Sequence, residues 1–183
     1  MEEPNDQNIL APLLESARQM DEAAIGQLVK EYYPSVLRFL SYRTRNREDA
    51  EDLTSEVFIR MVGAIKGQTG NFAAWLFKIA RNLLIDYYRK KDREKFSSLD
   101  EMEDDSVAVT AKDNRESFSE DEIKSMLSVL TDEQQEVISL RFLSSYSLEE
   151  TAQIMRKSVG AVKLLQFRAV GSLKEYLRKD IKA

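Results

Sequence analysis

Aromatic and cationic side chains alternate along the segment 72–93 in a way that suits nucleic-acid binding. From Lys78 to Arg93, six basic residues stand against two acidic ones. Cations neutralise phosphates while aromatic rings stack on unpaired bases, each stack contributing about 1–3 kcal/mol. The same pattern also fits a helix with a core tryptophan and a solvated basic end. At about 100° per residue, the outward face contains Trp75, Lys78, Asn82, Ile85 and Arg89, flanked by Arg81 and Tyr88.

A second cationic face lies in the last part of the chain. A short helical segment and a long one flank the turn 156–158, which is the spacing of a helix-turn-helix. Between residues 156 and 182, eight basic residues stand against two acidic ones. Lys and Arg supply phosphate contacts and donors to guanine edges, so the long helix is predicted to read a major groove, the alternative being a hairpin that only packs. Its outward face contains Lys163, Phe167 and Lys174, with Gln166 and Arg168 at the edges.

A third segment, 48–65, has an outward face that is acidic at its start and then apolar. Solvation alone does not require Ile59 and Val62 there, so this face is a candidate docking surface for a partner helix. The alternative is a solvated helix with two incidental aliphatic residues. The docking face is predicted to contain Glu48, Asp52, Ser55, Glu56, Ile59 and Val62. The opposite core stripe is predicted to contain Ala50, Leu53, Val57, Met61, Ala64 and Ile65.

The residue types that are absent exclude most enzyme chemistry. The chain has no Cys and no His, which removes disulfides, thiolate nucleophiles, zinc sites and His-based acid–base catalysis. Carboxylate pairs such as Asp49 with Asp52, or Asp104 with Asp105, lack the companion ligands and loop glycines that organise a cation site. We therefore predict no catalytic residue, no metal and no cofactor.

Composition and helix signals predict an all-helical chain. Its 183 residues include 43% hydrophobic and 32% charged side chains, with 6 Gly and 3 Pro, and no segment has a convincing strand pattern. Capping-box sequences begin at Ser119, Thr131 and Ser147. Helices are predicted near 7–19, 22–45, 48–65, 72–93, 120–129, 132–143, 148–155 and 159–179.

An acidic segment divides these helices into two small domains. Residues 95–119 hold three basic and seven acidic side chains without a helical or strand period, as in a flexible, solvated linker. The predicted organisation is a helical domain at 1–94, the acidic linker at 95–119 and a helix-turn-helix domain at 120–183. Each domain carries one of the two cationic faces.

Overall charge and hydropathy bear on partners and location. The chain has 27 Lys and Arg against 32 Asp and Glu, a net charge of -5, so attraction to nucleic acid must come from local basic surfaces. Residues 1–4 show no secretory signal pattern, and no apolar run approaches the roughly 20 residues that span a bilayer. We expect a cytoplasmic protein without membrane insertion.

Three strings, taken in order, resemble the extracytoplasmic-function group of bacterial sigma-70 factors. Residues 51–58 (EDLTSEVF) are similar to the family's segment that docks on the polymerase clamp, and residues 75–90 (WLFKIARNLLIDYYRK) resemble its reader of the minus-ten element. The run 130–143, followed by SLEETA at 147–152 and VGAVK at 159–163, is similar to its minus-thirty-five domain. The resemblance covers nearly the whole chain. It implies an alternative sigma factor that binds core RNA polymerase and directs promoter recognition and transcription initiation.

The resemblance also implies partners and residue roles. The first domain would dock on the β′ clamp and recognise and melt the minus-ten element, and the second would recognise the minus-thirty-five element beside the β flap. Promoter DNA and an anti-sigma factor are the other implied partners. The loop 66–72, with Asn82, would capture a base flipped from the non-template strand, at a cost of a few kcal/mol. The implied contacts are Asp52, Ser55, Glu56 and Ile59 for polymerase, Phe72, Trp75, Lys78, Arg81, Asn82 and Arg89 for the minus-ten element, and Lys163, Gln166, Phe167 and Arg168 for the minus-thirty-five element.

Two departures from the family pattern affect these roles. Leu164-Leu165-Gln166 stands where most members have a small polar residue and then Arg, which bears on base preference. Ser55 replaces a common Gln, which bears on the clamp contact.

The alternative function is a free-standing helix-turn-helix regulator that binds duplex DNA without polymerase. Such a regulator has no use for Trp75 and Asn82 on a basic face, and it usually dimerises to read two half-sites. A third possibility is an adaptor or inhibitor that binds polymerase without touching DNA. It would leave the cationic face at 163–168 unexplained.

Overall fold

The protein is described by a computed structural model, and the residues it describes are 6–44, 46–97 and 119–180. Helices account for most of these residues, and within them there is no strand. A 3-10 turn (Ile65–Gly67) follows the third helix, and a π-helical turn (Ser139–Leu143) follows the sixth. The α-helices are α1 (Asp6–Arg18), α2 (Glu22–Ser41), α3 (Arg47–Ala64), α4 (Phe72–Ser97), α5 (Glu120–Ser128), α6 (Asp132–Ile138), α7 (Leu148–Met155) and α8 (Val159–Asp180).

The predicted helix starts are confirmed by side-chain caps. The Asp21 carboxylate accepts a hydrogen bond from the Ala24 amide at 2.7 Å at the start of α2. The three predicted capping boxes, at Ser119, Thr131 and Ser147, are each formed with both reciprocal hydrogen bonds. These caps satisfy amide groups that the first helical turn leaves without partners.

The first half of the molecule is a four-helix unit with its own core. Helices α2, α3 and α4 pack against each other, and α1 lies against α2 and the 3-10 turn. Leu28, Phe39, Met61 and Leu76 are fully buried in this core. The predicted stripe of α3 is largely confirmed, but Ala64 is exposed, because α3 ends there and the chain turns so that Ile65 points inward instead.

Two helical units are present, as predicted, but they also pack directly against each other. A single apolar core extends from the first half into Val137, Leu140 and Met155 of the second. A smaller cluster, built on Leu127, Leu130, Ile138 and Ala169, stabilises the second half, and Tyr42 at the end of α2 packs on it. Of the predicted linker, residues 95–97 continue α4 and Ser119 caps α5, and the remainder lies outside the described residues.

Candidate nucleic-acid and polymerase interfaces

Helix α4 presents the first cationic face. Its inward residues Leu76, Ala80 and Leu83 are buried in the first-half core, and this fixes the rotation of the helix. Lys78, Asn82 and Arg89 are therefore exposed on the opposite side, as predicted. Trp75 is partly exposed at the edge of this face, and Ile85 is 42% exposed within it. These residues form the α4 face, a surface with cations, an amide and a partly exposed indole ring.

Phe72 does not belong to this face. It is 2% exposed, and its ring meets Tyr32 edge-on at 5.0 Å and the Trp75 ring at 5.7 Å. As the first residue of α4, it points back into the bundle. In this arrangement the Phe72 ring is packed between Tyr32 and Trp75 and is not accessible to DNA, and its predicted minus-ten contact stays a prediction.

The loop before α4 is shaped by residues that the sequence pattern did not single out. The Gln68 side chain is buried, accepts a hydrogen bond from Arg18 of α1 at 2.8 Å, and donates to the Gly70 carbonyl at 3.0 Å. Gly70 has φ 73°, a backbone conformation that favours glycine. Asn71 then caps α4 by accepting from the Ala74 amide at 2.7 Å. A buried glutamine thus holds the loop at the edge of the α4 face.

Arg81 lies on the flank of α4 and not on its exposed face. Its guanidinium forms an ion pair with Glu136 of α6, in the other half of the molecule. Arg43, at the end of α2, lies beside it, stacked over the Phe39 ring at 4.4 Å and donating to the Asp132 carbonyl at 3.3 Å. Burial lowers the pKa of Arg43, and the nearby Glu136 carboxylate opposes that shift. No sequence pattern predicted this arginine cluster, because the acidic residues that pair with Arg43 and Arg81 are more than fifty residues away in the chain.

Helix α8 presents the second cationic face. Val162 and Ala169 are buried beneath it, so Lys163, Phe167 and Arg168 project outward, as predicted. Phe167 is 75% exposed, which is unusual for a ring of this size in a folded protein. We call these three outward residues, together with the half-exposed Leu164, the α8 face.

Gln166 is placed differently from the rest of the predicted set. It is only partly exposed, and its side-chain oxygen accepts a hydrogen bond from Arg141 at 3.2 Å. Arg141 also donates to the Tyr146 carbonyl, which precedes α7. Gln166 therefore ties α8 to the preceding turn and does not project with the α8 face. At the C-terminal end of α7, Arg156 adopts a left-handed conformation with φ 54°, which makes the sharp turn into α8.

Helix α3 presents the predicted docking surface. Asp52 and Ser55 are exposed, and Ile59 is 66% exposed at the centre of the surface. Glu56 is partly covered and forms an ion pair with Arg60 at 2.7 Å. Val62 is also partly covered, and Glu48 is exposed at the start of the helix. The face is thus acidic at its start and apolar beyond, as predicted, and we call it the α3 face.

A cavity of about 280 Å³ lies between the two halves, lined by Arg43, Arg81, Tyr88, Glu136 and Met155 among others. Burial raises the pKa of Tyr88, whose hydroxyl donates to the Arg43 carbonyl. The described helices include none with the length and apolar character needed to cross a membrane.

The sequence matches two family descriptions, one in each half. Residues 28–94 match Sigma-70 region 2, and residues 126–175 match Sigma-70 region 4. The first match contains the α3 and α4 faces, and the second contains the α8 face.

Individual relatives give the same result. The chain is 35% identical over 181 residues to the ECF RNA polymerase sigma factor BldN of Streptomyces coelicolor, covering 96% of this chain and 69% of that protein. It is 30% identical over 170 residues to the ECF RNA polymerase sigma factor SigX of Bacillus subtilis, covering 85% and 84%. Among solved structures, the sigma factor RpoE of Bartonella quintana, in complex with the anti-sigma factor NepR, matches with a TM-score of 0.68 and 28% identity, covering 84% of this chain and 96% of that one.

The order of the two matched regions, and a similarity to these relatives that covers 84–96% of this chain, agree with the surfaces that the fold exposes. The chain therefore belongs to the extracytoplasmic-function family of sigma-70 factors, and it is an alternative sigma factor that directs transcription initiation.

Proposed function

We propose that the three exposed faces divide the work of promoter recognition. The α3 face binds the β′ clamp, the α4 face captures the minus-ten element, and the α8 face reads the minus-thirty-five element. The observation that supports this division is the placement of charge: a chain of net charge -5 concentrates exposed cations and aromatic rings on two separate helices. The domain at 1–94 then recognises the minus-ten element, and the domain at 120–183 recognises the minus-thirty-five element.

On the α4 face, capture of a single strand offsets the cost of melting. Lys78 and Arg89 neutralise phosphates, and the partly exposed Trp75 ring stacks on an unpaired base. The Asn82 amide, which both donates and accepts, recognises the edge of a flipped base. Stacking contributes about 1–3 kcal/mol per base, which is comparable to the few kcal/mol that flipping costs. Melting thus becomes a binding step that requires no catalytic group.

On the α8 face, Phe167 offers apolar surface to a thymine methyl group, and Lys163 and Arg168 supply donors for guanine edges or phosphates. Leu164 extends the apolar part of the face. This chain is therefore expected to favour methyl-bearing base pairs in the upstream element. Gln166 acts through Arg141, as a positioning residue.

On the α3 face, an exposed aliphatic residue with acidic neighbours fits a basic, amphipathic helix. Ile59 supplies the apolar contact, and Asp52 and Glu56 lie one or two turns before it. A central apolar anchor inside a polar rim is the usual pattern of a protein interface. The β′ clamp is the partner we assign to it, and the β flap is assigned to the second half.

The remaining roles follow from this assignment. Nucleotide addition belongs to the polymerase, so this chain is not itself an enzyme, and it acts in the cytoplasm, where the polymerase is. An anti-sigma factor is a further proposed partner, since the Bartonella RpoE structure contains one.

The strand-capture role is tested by transcription with core polymerase on a duplex promoter and on the same promoter already melted. Asn82→Ala removes an exposed amide, and we expect about a tenfold loss on the duplex and a smaller loss on the melted template. Gln27→Ala, an exposed change on α2, is the matched control. Duplex transcription by Asn82→Ala at the parent's level would show that the α4 face does not capture the strand.

The α8 role is tested by binding of the holoenzyme to duplex DNA that carries the upstream element. Lys163→Ala should weaken binding by about tenfold at fixed salt. Unchanged affinity would show that the α8 face does not contact the minus-thirty-five element. Tight, sequence-specific binding by the free chain would instead favour the free-standing regulator.

A further inference from the structure

The loop between α3 and α4 is held from one side by the end of α1. The Arg18 guanidinium donates through Nε to the Gln68 carbonyl at 3.1 Å and through Nη2 to the Gln68 side-chain oxygen at 2.8 Å. Its third nitrogen, Nη1, donates to the Glu15 carboxylate at 3.2 Å. Because the guanidinium is a rigid planar fork, two bonds to one residue fix the orientation of that residue. Helix α1 therefore holds Gln68 in a single orientation.

Gln68 connects Arg18 to the part of the loop that lies beside the α4 face. Its side-chain amide donates to the Gly70 carbonyl at 3.0 Å, and the residue is only 2% exposed. The next residue, Asn71, accepts a hydrogen bond from the Trp75 amide at its backbone carbonyl, at 3.1 Å. A series of hydrogen bonds and adjacent backbone units thus runs from α1 to Trp75.

The loop has little to fix its conformation apart from this buried amide. Glycines at 67 and 70 permit a wide range of backbone angles, and Thr69 is exposed. Without the Arg18 guanidinium, the side-chain oxygen and the carbonyl of Gln68 would lose these partners in a buried site. Because leaving buried polar groups unpaired is costly, the loop would rearrange to bring them to water or to other donors. The shape of the loop therefore depends on Arg18.

Helix α1 is packed firmly enough to act as a support. Leu14 and Ala17 are buried, and the helix contacts both α2 and the 3-10 turn that begins the loop. Arg18 directly follows the fully buried Ala17, so its backbone is held by that packing. The helix lies before residue 28, where the match to Sigma-70 region 2 begins, and it contributes no residue to the three faces.

We propose that Arg18 is a positioning residue for strand capture, which sets the shape of the loop 66–72 and thereby which base the α4 face accepts beside Trp75. The inference rests on the proposed function for the capture of a minus-ten base. Lys78 and Arg89 contact phosphates, which every nucleotide has, so these cations contribute affinity without base preference. The loop lies next to the ring on which the unpaired base stacks. A change at Arg18 therefore alters base selection and leaves phosphate binding as it is.

The first test separates base selection from phosphate binding. Holoenzyme is bound to single-stranded minus-ten oligonucleotides from a promoter that it transcribes, with one position at a time substituted or made abasic. The position at which the parent loses most affinity identifies the captured base. At that position we expect Arg18→Ala to lower the preference for the natural base by about threefold to tenfold, with unchanged affinity for the abasic oligonucleotide. A general loss of folded protein would instead lower the affinity for every oligonucleotide by the same factor.

A double-mutant cycle tests whether Arg18 acts through Gln68. Gln68→Met keeps the approximate length and volume of the side chain but removes its amide. If Arg18 acts through Gln68, the two changes together should reduce base preference by much less than the product of the two single reductions. Glu15→Gln is the matched control, since it breaks the exposed ion pair with Arg18 and leaves both contacts to Gln68 in place. Fully multiplicative reductions, or an unchanged preference in Arg18→Ala, would overturn the positioning role.

The fluorescence of Trp75 tests the loop itself, without DNA. Trp75 is the only tryptophan in the sequence, and its amide is bonded to the loop, so its emission reports on the loop's conformation. In the free, folded chain, Arg18→Ala should raise the acrylamide quenching constant by about twofold, and Glu15→Gln should leave it unchanged. Unchanged quenching in Arg18→Ala would show that α1 does not shape the loop.

The two measurements distinguish this inference from the function on which it rests. If the parent holoenzyme shows no base preference at any minus-ten position, the proposed strand capture fails. The quenching of Trp75 then decides by itself whether Arg18 holds the loop.

Discussion

The two halves of the molecule reach stability by different means. Helices α2, α3 and α4 have 20, 18 and 26 residues and supply most of the large apolar core. Helices α5, α6 and α7 have only 9, 7 and 8 residues, and each begins with a complete capping box. Helices this short are marginal alone, so they depend on their caps and on packing against the 22-residue α8, and α7 packs on α4 as well. The first half is thus built from long helices, and the second from short helices packed on one long one.

The largest expected effect distinguishes two phenylalanines that were both predicted to contact DNA, Phe72 at the minus-ten element and Phe167 at the minus-thirty-five element. Phe72→Ala empties a buried site in the first half and should lower the free energy of unfolding by about 3–5 kcal/mol. Phe167→Ala, on the α8 face, should change it by no more than about 0.5 kcal/mol while weakening DNA binding. Urea unfolding measures both. If Phe72→Ala lowered the free energy of unfolding only slightly, that result would contradict the burial of the Phe72 ring.

Removing a helix cap in the second half is expected to have a smaller effect on the free energy of unfolding. Ser147 accepts from the Glu150 amide at 3.1 Å, and Ser147→Ala should lower the free energy of unfolding by about 1 kcal/mol. Ser125→Ala, an exposed position inside α5, is the control and should not destabilise the protein. If Ser147→Ala proves equally neutral, packing against the first half alone accounts for the order of α7.

The smallest effect concerns how the free energy of unfolding depends on pH at Tyr146, where the second half packs on Phe77 of the first. Burial raises the pKa of the Tyr146 phenol above its usual value of about 10. A raised folded-state pKa means that this stabilisation is complete below about pH 10 and is lost as pH rises through the folded-state pKa. The difference in unfolding free energy between the parent and Tyr146→Phe should therefore be constant near neutrality and shift in favour of Tyr146→Phe at alkaline pH. A pH-independent difference would contradict the burial of this hydroxyl.

The helices and the rotation of their faces could be predicted, because both depend on local signals. Capping residues mark helix starts. A helical wheel at 100° per residue predicts that Lys78, Asn82 and Lys163 face outward, and they are exposed in the structure. These signals act over a few residues. They suffice for element positions and for which side of a helix meets its own core.

What could not be predicted depends on which distant surface an apolar or charged residue meets. The flanking positions of α4, Phe77 and Leu84, pack against the second half, and a wheel does not distinguish that from packing within one domain. The Arg81–Glu136 pair joins residues 55 positions apart, and the paired arginine looked like a phosphate contact. The burial of Phe72 depends on the loop before α4, where Gln68 donates a hydrogen bond to the Gly70 carbonyl, and a helical wheel does not include that loop.

The most direct measurement of the central claim is site-specific photo-cross-linking in the complete initiation complex. Photoreactive phenylalanine analogues replace Asn82 in one protein and Phe167 in another, and the cross-linked bases are mapped on promoter DNA. We predict that the Asn82 probe marks the non-template strand of the minus-ten element and that the Phe167 probe marks duplex DNA about 25 base pairs upstream. Probes that mark the same element, or that mark only polymerase, would contradict the account.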